Sequence, residues 1–338
     1  MRVLLLGAGA VGTLLGRTLA SGGAEVTVLV RPGRVAGRDE LVTVDPAGAR
    51  RSALVRVAVD RADVQVPPDL ILCAVKAFDL PGALARLEAW PASPVLTVQN
   101  GIGAEEAALA ARPAAPLLAG SVTASVERRA DGTVDWLRRG GIGLAIVQGQ
   151  VAALRDELVR LFGAGGLAAG PYPDWAAMKW SKLLANLVGN ATSAILDADP
   201  AAIYADPTLF AIERAQLQEA LAVMAAQGLR PVGLPGASIV WLARAVGLPP
   251  ALGRPILART VGGARGGKSP SLRTHLASGA AGPSEVDQLN GAVVAAGARL
   301  GLATPVNAAL VAAVHDVARD PLRRSWYRTH PASLTPGG

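Results

Sequence analysis

The stretch RVLLLGAGAVGTLLGRTLASGGAEVTVLVR, residues 2–31, constrains the fold more than any other part of the chain. Residues 2–6 are a short apolar run, Gly7, Gly9 and Gly12 complete a G-x-G-x-x-G pattern, an amphipathic helix is predicted to about Leu19, and AEVTVLV reads as a second strand. Gly7 permits a tight turn, Gly9 lets backbone approach a pyrophosphate, and Gly12 lets the helix pack on the strand while its first amides face the phosphates. Strand, motif, helix and strand in that order predict a Rossmann-type, doubly wound α/β sheet. Its first turn, made of Gly7, Ala8, Gly9, Ala10, Val11 and Gly12, is expected to bind a dinucleotide. A positive residue followed by apolar and small residues also describes a signal peptide, but the second strand after the motif favours the sheet.

The end of the second strand chooses the cofactor. An NAD site places Asp or Glu there for the ribose 2′-hydroxyl, whereas this chain has Arg31, with Arg34 one turn on, and a cation favours the 2′-phosphate of NADP. Two later strands carry the argument on. DLILCAVKAFDL predicts a buried strand to Val75 with Lys76 at its carboxyl end, and PVLTVQNGIG a strand to Val98 with Gln99, Asn100 and Gly101 at the exit. Ligands of open parallel sheets bind outside the carboxyl ends of the strands, so Lys76 and Asn100 are placed to meet cofactor or substrate. Asn-Gly is equally an ordinary turn. Residues 119–147 read as strands with a hairpin tip at RADGTV, residues 149–164 as a helix, and GAGG with PYPD marks a boundary near residue 170.

Beyond that boundary the pattern is helical, over about 174–197, 207–227, 236–246, 250–262, 284–301 and 306–318. The expected division is a Rossmann domain over 1–170, an all-helical domain over 171–325 that holds substrate, and a tail over 326–338, its last residues frayed. Within the first helix, SKLLANLVGNATSAIL sets Lys182, Asn186 and Asn190 at successive i, i+4 positions, a polar stripe on an otherwise apolar helix. Such a stripe is either a thin solvent-facing strip or the wall of a site. Further on, Ser271 is placed to cap a short helix beginning at Leu272, and Glu285 falls in the first turn of the next helix, where a carboxylate suits the dipole.

Composition removes several function classes. A chain of 338 residues suits two domains, and its 51% hydrophobic content excludes a disordered protein. No uninterrupted apolar run reaches the roughly 18 residues of a membrane span, so no membrane is expected and the location read is cytoplasmic. One cysteine, Cys73, excludes an internal disulfide, and His275, His315 and His330 lack metal-ligand spacing, so no metal is expected. The net charge of +7 raises nucleic acid, but aromatics are 4% and no basic run is interleaved with stacking residues; an Arg-rich composition accounts for it. Of 33 Lys and Arg residues four are Lys: Lys76, Lys179, Lys182 and Lys268. Lysine in such a chain points to amine chemistry that guanidinium does not perform.

In order, GAGAVG, Arg31, VKAFDL, QNGIG, KLLANLVGNATSAI and SEVDQLNGAVVAAGARLGLATPVN resemble the ketopantoate reductase family over roughly residues 1–315. The first motif is common to many NAD(P) proteins; the helix and the C-terminal string are much more specific. The resemblance implies a Rossmann domain followed by a helical domain with the active site in the cleft between them, and NADPH-dependent reduction of 2-dehydropantoate to pantoate. It implies that Lys182 donates a proton to the ketone oxygen, that Asn186 and Asn190 bind substrate, and that Glu285 orients the substrate hydroxyl. It further implies that Ser271 contacts the substrate carboxylate and that Lys76 and Asn100 stand where cofactor meets substrate. Lys179 also lies near the stripe; spacing to the two asparagines selects Lys182.

Three departures from the family pattern stand out, and the two in the 271–285 loop lie where the substrate's tail would sit. His275 stands where the family has an acid, the loop from Ser271 to Glu285 is about two residues longer, and Ala191 replaces the proline that follows the second asparagine. The expected partner is a small-molecule keto acid, and a homodimer is among the states the sequence allows. Two other readings share the fold: a reductase of another 2-keto acid or an imine, and a non-enzymatic NADPH sensor.

Overall fold

The computed structural model describes residues 1–30, 35–264, 269–279 and 284–335. Arg31, Arg34 and Lys268 therefore lie outside the described residues. The chain forms two compact units: 1–99, 103–179 and 234–237 in one, and 100–102, 180–233 and 238–338 in the other.

The first unit is built on β1 (Arg2–Leu6), α1 (Ala10–Ser21), β2 (Glu25–Leu29), β3 (Gly37–Val44), β4 (Arg50–Ala58), β5 (Leu70–Cys73), α2 (Leu80–Ala85), β6 (Val95–Thr97), α3 (Ala104–Ala111), β7 (Leu117–Val122), β8 (Ser125–Arg128), β9 (Val134–Arg138), β10 (Gly141–Gln148), α4 (Ala152–Ala164) and β11 (Ala168–Tyr172). One sheet runs β11-β10-β7-β6-β5-β1-β2-β4-β3-β9-β8. From β4 through β2, β1, β5 and β6 to β7 every pairing is parallel, which is the doubly wound order with its reversal at β1 and β5. Burial on both faces explains why β1 is apolar from Val3 to Leu6, after an exposed Arg2. Val3 and Leu5 pack with Leu14, Leu15 and Leu19 of α1 on one face, and Leu4 and Leu6 pack with Ile71, Leu80 and Leu84 on the other.

The crossover between β2 and β4 carries a further strand, β3, antiparallel to β4 and paired with it along its length. The expected strand ends at Val75 and Val98 fall earlier, at Cys73 and Thr97. The RADGTV hairpin forms as read: β8 and β9 are antiparallel, and Arg129 N donates to Thr133 O at 2.8 Å across the tip.

Helix α5 (Trp175–Leu187) is shared in sequence by both units, its residues from Trp180 onward belonging to the second. The second unit continues with α6 (Ala191–Leu196), α7 (Pro200–Ala205), α8 (Pro207–Ala226), α9 (Ile239–Gly247), α10 (Pro250–Ala264), α11 (Ser271–Ala277), α12 (Asn290–Leu300), α13 (Pro305–Arg319) and α14 (Arg323–Thr329). No described helix is long and apolar enough to cross a membrane.

The helix expected over 174–197 is broken. Residues 188–190 form a turn at Gly189, whose φ is +56°, a left-handed value that favours glycine. The buried Glu213 carboxylate on α8 holds the break open, accepting from Gly189 N at 2.8 Å, Thr192 Oγ1 at 2.6 Å, Tyr204 OH at 2.8 Å and Gln216 Nε2 at 2.8 Å. Ala191 is the first residue of α6, the position where helices accept proline, so this chain makes the break without one.

The segment read as a tail contains regular structure among its described residues. Residues 323–329 are helical, a short 3-10 turn spans Pro331–Leu334, and Leu334 is fully buried, which an apolar side chain gains by packing rather than fraying.

Candidate active site

The glycine-rich turn has the local geometry its residues predict. Gly7 adopts φ +94°, and a Cβ there would lie 2.8 Å from Val75 N; a Cβ on Gly12 would lie 1.9 Å from Gly7 O. Both positions are closed to any side chain by the protein's own backbone. Gly9 is different. It is exposed, it precedes the first residue of α1, and a Cβ there would meet no described atom within 4 Å. Packing within the protein does not require glycine at that position, whereas a pyrophosphate lying against the backbone does. Ala8, Ala10 and Val11 complete the turn and are half-buried. The turn thus fits a dinucleotide. Lys76 follows β5 at the carboxyl edge, exposed, with its carbonyl accepting from Asp79 N at 3.0 Å.

Within the same unit, a buried network that sequence reasoning missed lies at the exits of β5 and β6. Gln99 Nε2 donates to Cys73 O at 2.8 Å and to Val75 O at 3.0 Å. Lys179 Nζ donates to Gln99 O at 2.7 Å and pairs with Glu105 Oε1 at 3.0 Å. Thr97 Oγ1 donates to the same carboxylate oxygen at 2.8 Å. The legible signals were the polar Gln99 beside Asn100 and a lysine one turn before Lys182; nothing local marks Glu105 as their partner. Cys73, at the end of β5, is wholly buried, and burial pushes its thiol up to about 12.

In the second unit, Asn100 and Asn186 meet directly: Asn186 Nδ2 donates to Asn100 Oδ1 at 3.2 Å. Lys182 is half-buried one helical turn before Asn186, roughly 6 Å along α5. The loop of Asn100 also lies against the turn that holds Glu285. Gly101 has φ +82°, a Cβ on it would be 2.3 Å from Gln288 O, and Ile102 N donates to that oxygen at 3.0 Å. Asn100, Asn186 and the 285–289 turn are thereby brought together.

Three predicted placements need correction. Glu285 is not in the first turn of a helix: α12 begins at Asn290, and residues 285–289 form hydrogen-bonded turns in which Leu289 N reaches Glu285 O at 3.0 Å. Ser271 is not the cap of α11 among the described residues; it is the helix's exposed first residue, and Pro270 is the cap position. Asn190 is not on a continuous stripe, because the break at Gly189 precedes it. It is 3% exposed, and its Oδ1 accepts from Leu272 N at 3.2 Å, supplying from a distant segment the cap expected of Ser271. His275 is half-buried in the last turn of α11. Among the described residues no cluster of His, Cys, Asp or Glu has the makings of a metal site.

Two family models match the chain, Ketopantoate reductase PanE/ApbA over residues 3–149 and Ketopantoate reductase PanE/ApbA C terminal over residues 174–318. The chain is 30% identical over 324 residues to a 2-dehydropantoate 2-reductase of Halobacterium salinarum, which spans 95% of this chain and 100% of that protein. Among solved structures it is similar to a PanE/ApbA family ketopantoate reductase from Ralstonia eutropha, at a TM-score of 0.77 and 27% identity, covering 95% of this chain and 100% of that one. A ternary structure of D-mandelate dehydrogenase with NADH and anilino(oxo)acetate shares the fold at a TM-score of 0.75 and 20% identity, covering 94% and 99%.

Proposed function

The chain belongs to the ketopantoate reductase family and is an oxidoreductase acting on a 2-keto acid, and from that premise we propose that it reduces 2-dehydropantoate to pantoate with NADPH. The observation that carries the reading is the pairing of Asn186 with Asn100 at 3.2 Å, because it joins two neutral amides one helical turn along α5 from Lys182. Asn side chains hold a carboxylate and a hydroxyl without adding charge that competes for the proton.

The Gly7–Gly12 turn would hold the pyrophosphate and Arg31 the 2′-phosphate, with Lys76 serving the cofactor and Asn100 the keto acid. When bound, NADPH supplies the hydride. Lys182 does the rest of the chemistry: negative charge develops on the ketone oxygen, and the Nζ ammonium stabilises that charge more than the neutral ketone and donates its proton to complete the alcohol. Asn186 and Asn100 orient the keto acid, Ser271 contacts its carboxylate, and Glu285 takes its terminal hydroxyl. Asn190, which the family resemblance assigns to the substrate, has its Oδ1 engaged by the Leu272 amide, which leaves Nδ2 as the atom for that role.

A second reading, reduction of a 2-keto acid or imine with another tail, is favoured by His275 on α11, where the family has an acid. One assay separates the two readings: NADPH and NADH oxidation by the purified protein with 2-dehydropantoate, pyruvate and 2-ketoisovalerate. Turnover dominated by NADPH and 2-dehydropantoate supports the proposal. Preference for a keto acid lacking the terminal hydroxyl supports the second reading, and cofactor binding without any turnover overturns both in favour of a sensor.

A further inference from the structure

Lys179 is 2% exposed and Glu105 is fully buried. An ion pair so placed is weak evidence of stability, since apolar groups of similar volume commonly do as well; what a buried charge fixes well is direction. The Lys179 ammonium is aimed at two acceptors, Glu105 Oε1 at 3.0 Å and the main-chain oxygen of Gln99 at 2.7 Å. That oxygen belongs to the peptide joining Gln99 to Asn100. Peptides are planar, so fixing the carbonyl sets the direction in which the chain runs on into Asn100.

The same reasoning extends one strand over. Val75 O belongs to the peptide leading to Lys76, and it is held by Gln99 Nε2 at 3.0 Å. One buried cation thus orders the peptide before Asn100, and Gln99 relays that order to the peptide before Lys76. A compact ammonium on a flexible stem reaches both acceptors as a point charge, and a lysine stands here in a chain dominated by arginine.

We propose that Lys179 is a positioning residue: through the Gln99 carbonyl it aims Asn100 at the keto acid, with Glu105 neutralising its buried charge. The inference rests on the reading that Asn100 binds substrate. Lys179→Met alone leaves Glu105 as an uncompensated buried carboxylate, so the test uses Lys179→Met with Glu105→Gln, which removes both charges and keeps an acceptor for Thr97.

Expected of the folded double variant is a KM for 2-dehydropantoate raised about tenfold or more, with a smaller change in NADPH affinity, because the peptide before Lys76 is held only through the Gln99 side chain. Hydrogen exchange read by mass spectrometry is expected to rise about tenfold across residues 99–102 while β1 is unchanged. A double variant with wild-type KM and wild-type exchange over 99–102 overturns the proposal and leaves the pair a packing feature. If the wild-type protein reduces no 2-keto acid, the proposed function fails, and the exchange measurement still decides whether Lys179 orders the segment of Asn100.

Discussion

Asn186 Nδ2 lies 3.2 Å from Asn100 Oδ1, so the turn of α5 that follows Lys182 is tied to the loop that follows β6. If both amides hold one keto acid, their losses are not independent. Asn186→Ala and Asn100→Ala are each expected to raise the KM for 2-dehydropantoate, and the double variant by less than the product of the two. The coupling in a double-mutant cycle is expected on the order of 1 kcal/mol. Strict additivity would show that the two side chains act at separate places.

The glycine turn offers a contrast between two similar substitutions. Gly12→Ala puts a methyl 1.9 Å from the Gly7 carbonyl oxygen, which backbone cannot yield. It is expected to destabilise the protein by on the order of 3 kcal/mol. Gly9→Ala meets no described atom within 4 Å, so the protein is expected to keep its melting temperature and lose NADPH affinity. Thermal melts and cofactor titrations of the two variants check this; unchanged NADPH binding in Gly9→Ala would remove the turn from the cofactor site.

Cys73 is buried at the end of β5, with a thiol pushed up to about 12 by burial. The thiolate is the reactive species, so the native protein is expected to resist a thiol-specific disulfide reagent at neutral pH and to react fully once denatured. Rapid reaction of native protein would show that the β5 strand end opens to solvent.

Arg273 on α11 pairs with Asp197 at 2.9 Å and with Asp199 at 2.5 Å. The Arg273 hydrogen bond holds the Asp197 carboxyl below its ordinary value, against burial, with Arg324 and Arg328 adding to the effect. A folded value below the unfolded one gives stability that is present above the ordinary aspartate value of about 4 and is lost as pH falls through the folded value. The pair is partly exposed, so the effect is modest. Arg273→Gln is expected to melt below wild type at neutral pH, with the gap closing in acid. A gap independent of pH would mean that Arg273 acts by packing.

The parts of the fold written in local pattern were legible: β1, α1 and β2 around the glycines, the hairpin at RADGTV, and α4. The misses share a cause in distance along the chain. The break at Gly189 depends on the Glu213 carboxylate on α8, and neither residue advertises the other. Asn190 caps α11 from a segment far before it, so Ser271, which had the right residue type for a cap, is left exposed. The positions of Asn100 and Asn186 could be placed from motif and spacing, but their contact could not, and Lys179 is explained only by Glu105, a residue that in sequence is one more acid in the first turn of α3.

The most direct test of the account is the turnover of Lys182→Ala with 2-dehydropantoate, measured beside its NADPH affinity. Loss of the proton donor is expected to lower kcat by about 10²–10⁴-fold while NADPH binds within about twofold of wild type. A variant that keeps wild-type kcat would contradict the assignment of Lys182 as the group that protonates the ketone oxygen.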